Sequence, residues 1–161
     1  MSLPKELKMK GGMLTTQHEA LLNIVRTATI IGKLSNAFFG RFGITEAQYN
    51  VLIVLKLADK PLTQVEIGER LVVSRANMTA LLDKLEKKAY VIRKKVEGDR
   101  RIFQIELTKE GRKLLDKVEP AYLRQVESNM ACLNLSACKA LSRVLTLLRE
   151  NLHITEEERH E

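Results

Sequence analysis

The order of sequence patterns between residues 63 and 107 constrains the fold of this chain more than any other feature. Thr63-Gln64-Val65-Glu66 has the spacing of a capping box, which satisfies the first amides of a short helix. Ser74 then begins a second helix, whose apolar residues from Met78 to Leu85 recur at i, i+3, i+4 and i+7. Two short helices joined by a tight turn predict a helix-turn-helix.

A basic, extended segment follows the second helix directly. Residues 90–96 mix β-branched side chains with cations, Glu97-Gly98-Asp99 favours a tight turn, and apolar residues alternate with polar ones as far as Leu107. The window 84–101 contains eight cations and three acids, so its net charge of +5 supplies most of the +7 of the whole chain. A basic hairpin after a helix-turn-helix is the arrangement of a winged helix that binds duplex DNA.

Long helices are predicted before and after this winged-helix lobe, which spans residues 45–107. Residues 17–40 contain apolar side chains on more than one stripe, and the last helix, opened by Ser136, has a strong apolar stripe. Such an excess of apolar surface indicates self-association. We expect the chain to be mainly α with a small β-hairpin wing: a winged helix-turn-helix lobe plus a helical dimerisation region. The predicted dimerisation residues are Leu21, Ile24, Leu141, Val144, Leu145, Leu148 and Leu152.

The exposed face of the second helix of the motif is the predicted DNA-reading surface. Ala76 and Ala80 are small enough to leave Asn77 and Thr79 within reach of base edges, and Arg75 can reach a guanine or a phosphate. At the hairpin tip, an arginine suits the narrow minor groove, with Asp99 restraining it. The predicted DNA-binding residues are Ser74, Arg75, Ala76, Asn77, Thr79, Lys84, Lys87, Arg93, Lys95, Asp99, Arg100 and Arg101.

Other functions have weaker support in the sequence. No nucleophile elbow, phosphate-binding glycine loop or metal-ligand motif occurs, so an enzyme, a cofactor and a metal are not expected. The three histidines, His18, His153 and His160, are scattered, so they do not indicate a metal site. Cys132 and Cys138 are expected to be small reduced thiols, and the alternative is that they sense oxidants. A winged helix that binds a protein partner instead of DNA also remains open.

No apolar stretch reaches the roughly 20 residues of a membrane span. The first residues lack the apolar core of a signal peptide. We therefore expect a cytoplasmic location.

In these motifs the chain resembles the MarR (multiple antibiotic resistance regulator) family from Ile44 to about Leu115. The resemblance rests on four motifs in this order: Leu62-Thr63 at the start of the first helix, Val73-Ser74-Arg75 at the start of the second, Asp99 with Arg101 in the wing, and Leu107-Thr108 with Gly111 where the next helix begins. Two positions depart from the family: Ala89 stands where members usually have Gly, and Ala80 where many have a basic residue.

The resemblance implies one MarR-type domain over residues 1–161, with a DNA-binding lobe over 45–107 and a dimerisation region over 14–42 and 108–153. It implies a homodimer that binds a pseudo-palindromic operator, most often as a repressor. It also implies release of DNA by a small aromatic or anionic effector in a crevice between the dimerisation helices and the lobe. Four aromatic residues are candidates for lining that crevice, although such residues more often belong to a core or an interface. They are Phe38, Phe39, Tyr49 and Tyr122.

Overall fold

The computed structural model describes residues 3–6, 8, 15–96 and 99–157, without the side chains of residues 4, 96, 99–102 and 153–157. The chain forms two compact units, Met1–Glu119 and Pro120–Glu161. Its elements in chain order are α1 Leu3–Glu6, α2 Thr16–Gly40, α3 Glu46–Leu57, β1 Leu62–Thr63, α4 Gln64–Leu71, α5 Arg75–Lys87, β2 Val91–Val96, β3 Asp99–Leu107, α6 Lys109–Met130 and α7 Leu135–Glu157. The prediction of a mainly helical chain with a small β-hairpin wing is therefore confirmed.

Helix starts follow the local capping signals of the sequence. Thr45 with Gln48, and Thr63 with Glu66, form complete capping boxes at α3 and α4, as predicted. The start of α7 was predicted two residues too late. The Oδ1 atom of Asn134 accepts the amide of Ala137 at 2.9 Å and caps the helix, so Ser136 lies inside the first turn.

The sheet has three antiparallel strands in the order β1-β3-β2. Ile105 of β3 lies opposite Leu62 on one side and opposite Arg93 on the other. The pairing of β2 with β3 confirms the predicted hairpin, which has a register irregularity at Lys95 and Val96. Glu97 and Gly98 of the predicted turn lie outside the described residues. Sequence reasoning missed the two-residue strand β1.

The core of the first unit lies where α3, α4, α5, the sheet and the start of α6 meet. The side chains that are no more than 1% exposed include Phe39, Val51, Leu52, Leu62, Ile67, Met78, Leu82, Leu85, Ile105, Leu115 and Val118. Burying each of these apolar side chains stabilises the fold by roughly 1.5–3 kcal/mol. Together they fix α4 and α5 against the sheet.

The second unit contains the later part of α6, from Pro120, and the helix α7. Large apolar side chains lie exposed on both helices. In the part of the chain that the structure describes, no helix by itself has the length and apolarity of a membrane span. The segments Lys109–Met130 and Leu135–Leu152 meet that test only as a pair, with a bend of 96° between them.

Candidate nucleic-acid interface

The turn between α4 and α5 sets the direction of α5, the second helix of the helix-turn-helix. Val72 ends α4 in a left-handed conformation, with φ of 52°, and its side chain is 84% exposed. The Val73 amide returns to the Gly68 carbonyl at 3.0 Å, and a Cβ on Gly68 would lie 3.2 Å from the Val73 carbonyl oxygen. A side chain at Gly68 would therefore press on this turn, which also holds a β-branched residue, Val72, in a conformation that it rarely adopts.

Helix α5 has one buried face and one exposed face. Met78, Leu82 and Leu85 are fully buried, and Ser74 caps the helix through the Asn77 amide. Seven of the predicted DNA-binding residues are all exposed: Ser74, Arg75, Ala76, Asn77, Thr79, Lys84 and Lys87. The structure thus brings together, on the outer side of one helix and at its cap, residues that the sequence analysis had grouped.

The Thr79 hydroxyl is held by a residue that sequence reasoning missed. The Gln64 Nε2 atom donates to Thr79 Oγ1 at 2.5 Å and to the Arg75 carbonyl at 3.3 Å. Thr79 Oγ1 donates in turn to the Arg75 carbonyl at 3.0 Å. Gln64 is the first residue of α4, so only the packing of α4 against α5 brings it to this position.

Arg93 ties the wing to α5. Its guanidinium contacts Glu86 at 2.5 Å and Asp83 at 2.6 Å, and the Arg93 amide donates to Glu86 at 3.2 Å. Burial lowers the pKa of Arg93, but hydrogen bonds and charge from Asp83 and Glu86 raise it by more, so it stays above its ordinary value. The predicted role of Arg93 was DNA contact; in the structure, both carboxylate partners belong to α5.

The remaining predicted residues of the wing occupy its two strands. Lys94 pairs with Glu106 across the hairpin at 2.7 Å, whereas Lys95 is exposed and has no ion pair with a described residue. Asp99, Arg100 and Arg101 belong to β3, and their side chains lie outside the described part of the chain. The predicted contact of an arginine with the minor groove stays a prediction.

A second junction fixes the base of the wing. Ala89, which follows α5, has φ of 58°, in the left-handed region that favours glycine. Thr108 Oγ1 donates to the Ala89 carbonyl at 2.6 Å and accepts the Gly111 amide at 3.0 Å. Thr108 therefore caps α6, as predicted, and joins its start to the end of α5.

The capping box of α4 also lowers the pKa of its carboxylate, Glu66. Hydrogen bonds from the Thr63 amide and hydroxyl, at 2.7 and 2.9 Å, lower the pKa of Glu66, and Lys60 adds to this effect. Glu66 is therefore a carboxylate at neutral pH, and it complements the positive end of α4.

Three of the four aromatic candidates for an effector crevice pack against one another in the first unit. Phe39 stacks on Tyr49 at 4.6 Å and meets Phe38 edge to face at 5.1 Å. The exposed fractions of these three residues are between 0 and 7%. Tyr122 is half-buried in α6. Their lining of a crevice stays a prediction.

Helices α2 and α7 each expose the apolar residues predicted for dimerisation. Leu21 and Ile24 are exposed on α2, together with Val25, Ile30, Ile31 and Leu34. On α7, Leu141, Val144 and Leu152 are exposed, and Leu145 and Leu148 are half-buried. Apolar surface on this scale normally marks an interface.

The cysteine and histidine residues form no cluster in the described ranges. Cys132 is an exposed free thiol and Cys138 a half-buried one. Among the described side chains, no group of three or more His, Cys, Asp or Glu residues could hold a metal ion. The side chain of His153, and the whole of His160, fall outside the part of the chain described.

The chain is similar in sequence and in fold to known transcription regulators. The model of the MarR family matches residues 42–102. An uncharacterized HTH-type transcriptional regulator of Bacillus cereus is 34% identical over 63% of this chain and 67% of its own length. The HTH-type transcriptional regulator PapX of Escherichia coli is 31% identical over 80% of this chain and 81% of its own. The same fold occurs in a Streptomyces coelicolor MarR family regulator solved with DNA, Sco3205, with a TM-score of 0.80 and 21% identity over 89% of this chain and 92% of that one.

Proposed function

This chain belongs to the MarR family of transcription regulators, and we propose on that premise that it binds duplex DNA sequence-specifically as a homodimer. In this proposal, α5 enters the major groove and the hairpin of β2 and β3 lies over a neighbouring minor groove. The solved relative Sco3205 is described in complex with DNA, which supports DNA as the partner of this chain as well.

The division of α5 into two faces carries this proposal. A recognition helix must turn a slim polar face to the groove while its other face is fixed to the rest of the lobe. Asn77 and Thr79 are exposed beside the small side chains of Ala76 and Ala80, and three apolar residues of the same helix are fully buried. Exposed Lys84 and Lys87, which make no ion pair with any described residue, would then lie near the phosphate backbone.

The homodimer is proposed from the uncovered apolar side chains of α2 and α7. Leucine side chains that are roughly half exposed, such as Leu21 at 55% and Leu152 at 53%, are stabilised when a second copy covers them. A two-fold dimer would present two recognition helices to half-sites about 34–36 Å apart, which is one turn of DNA. A pseudo-palindromic operator follows from that symmetry.

The direction of regulation and its control by an effector are proposed from the family resemblance. We propose that the dimer represses transcription and that a small aromatic or anionic effector releases it from DNA. The physical requirement is that the effector binds the free form more tightly than the DNA-bound form. Phe38, Phe39 and Tyr49 already contact one another, so an effector that contacts them must displace part of that packing.

The salt dependence of duplex binding tests the proposal. A protein that neutralises phosphates releases counterions, so the logarithm of the affinity should fall steeply and linearly with the logarithm of the salt concentration. A winged helix that instead binds a protein partner would give weak duplex retention and a shallow slope. Either of those results would contradict the proposed function.

A further inference from the structure

A triangle of hydrogen bonds at the start of the recognition helix limits what the Thr79 hydroxyl can do. The Gln64 amide nitrogen lies 2.5 Å from Thr79 Oγ1, which lies 3.0 Å from the Arg75 carbonyl oxygen. The third side of the triangle joins Gln64 Nε2 to that carbonyl at 3.3 Å. Gln64 is half-buried, whereas Thr79 is exposed.

The direction of each bond in the triangle is fixed by chemistry. An amide nitrogen has no acceptor capacity, so Thr79 Oγ1 must accept from Gln64. A carbonyl oxygen cannot donate, so the single proton of the Thr79 hydroxyl goes to Arg75. The proton of the hydroxyl and one of its two lone pairs are therefore in use before DNA arrives. No other described residue donates to this hydroxyl, so its other lone pair is available to an outside donor.

Gln64 also selects the side-chain rotamer of Thr79. A threonine in a helix divides between two χ1 rotamers, because its hydroxyl can bond a carbonyl of the preceding turn. The bond from Gln64 favours the rotamer that the structure contains. Without it, only the bond to the Arg75 carbonyl holds this rotamer. Rotation about χ1 would break that bond and let the hydroxyl offer either a proton or a lone pair to the groove.

We propose that Gln64 is a positioning residue for sequence readout, which holds Thr79 as a hydrogen-bond acceptor toward DNA. This inference rests on the proposed function, because it requires α5 in the major groove. There, adenine N6 and cytosine N4 donate, whereas guanine O6 and thymine O4 accept. Thr79 accordingly selects adenine or cytosine over guanine or thymine on the strand that it contacts.

The test is a base-by-base measurement of affinity on the preferred duplex of the full-length protein. Thr79→Val keeps the shape of the side chain and removes the hydroxyl, so the position whose preference it abolishes is the contact of Thr79. At that position the wild type should favour adenine or cytosine by roughly threefold to tenfold, the range of one hydrogen bond. Gln64→Leu should reduce this preference to less than about twofold and leave the other positions unchanged.

A double-variant cycle separates positioning from a general effect on the fold. If Gln64 acts through Thr79, adding Gln64→Leu to Thr79→Val should change nothing further at that position. Gln64→Met provides an unbranched replacement of similar length should the leucine variant fold poorly. Gln125→Leu is the matched control, since Gln125 hydrogen-bonds Asn129 on α6 and should keep the wild-type preference.

The inference is overturned if Gln64→Leu and Gln64→Met keep the full preference, or if Gln64→Leu still changes it when Thr79 is valine. It is also overturned if Thr79→Val changes no position, or if the wild type favours guanine or thymine there. A wild-type protein that binds no duplex above random sequence would overturn the proposed function, and this inference with it. The two failures are therefore distinct.

Discussion

The carbonyl oxygen of Tyr90 occupies the space that a Cβ atom on Gly111 would need. The side chain of Leu107 crowds the same position, with its Cδ1 atom 2.7 Å from the ideal Cβ. Tyr90 lies between α5 and β2, and Gly111 lies in the first turn of α6. This close approach explains physically why a glycine follows Leu107-Thr108 in the sequence: the helix can meet the base of the wing only where a side chain is missing.

Gly111→Ala is predicted to destabilise the protein by about 1–3 kcal/mol, because the backbone must shift to admit the methyl group. Urea denaturation measures the loss. Gly40→Ala is the matched control: a Cβ there meets nothing within 4 Å, so the same substitution at the end of α2 should be neutral or slightly stabilising. Equal effects of the two substitutions would contradict the packing argument.

Ala89→Gly is predicted to stabilise the protein by about 1 kcal/mol, because φ of 58° strains an alanine and suits a glycine. The free energy of unfolding, measured in the same way, checks this. Ala80→Gly serves as the opposite case, since Ala80 lies within α5 and should lose about 1 kcal/mol of helix propensity. A loss of stability in Ala89→Gly would show that the left-handed backbone is not the controlling factor.

Replacing either of two arginines of the wing is predicted to affect a different property: the stability of the fold for Arg93 and duplex binding for Arg101. Arg93→Ala should lower the free energy of unfolding by about 1–2 kcal/mol, because it removes charge-assisted hydrogen bonds to Asp83 and Glu86 from a partly buried site. Arg101→Ala should weaken duplex binding several-fold and leave the stability and the dimer intact. Thermal melting and gel-shift titration separate the two effects.

Lys95→Ala is the stability control for this pair, since Lys95 is exposed on the strand that contains Arg93. Its melting temperature should match that of the wild type. Unchanged duplex retention in Arg101→Ala would count against a DNA-contacting wing, and unchanged stability in Arg93→Ala would remove the structural role assigned to Arg93.

Sedimentation at micromolar concentration is predicted to give twice the mass of one chain. Leu145→Asp or Leu148→Asp should cause unfolding or loss of assembly, because a charge would be buried in the apolar surface shared by two copies. Leu57→Asp makes the same change at the exposed end of α3, outside the predicted interface, and should leave the dimer intact. A well-folded wild-type monomer would refute the shared core.

The sequence predicted those features that depend on near neighbours. Thr45 and Gln48, or Thr63 and Glu66, are three residues apart and bond within one helical turn, so the sequence pattern alone identifies the start of the helix. The hairpin of β2 and β3 follows from alternation and a turn signal in the same way.

The features that sequence reasoning missed depend on tertiary packing. Gln64 reaches Thr79 across fifteen residues, and Arg93 reaches Asp83 across ten. A glutamine at a helix start and an arginine in a basic strand look like ordinary surface residues until the packing of α4 and β2 on α5 is known. The strand β1 is similar, because its two residues are defined by the pairing of Leu62 with Ile105.

Selection of bound fragments from a random duplex pool tests the central proposal most directly, since it asks whether two copies of α5 read DNA together. A symmetric homodimer predicts an enriched inverted repeat, whose two half-sites are centred about 10–10.5 base pairs apart or at a multiple of that spacing. Enrichment of a single asymmetric half-site, or of no sequence at all, would contradict it.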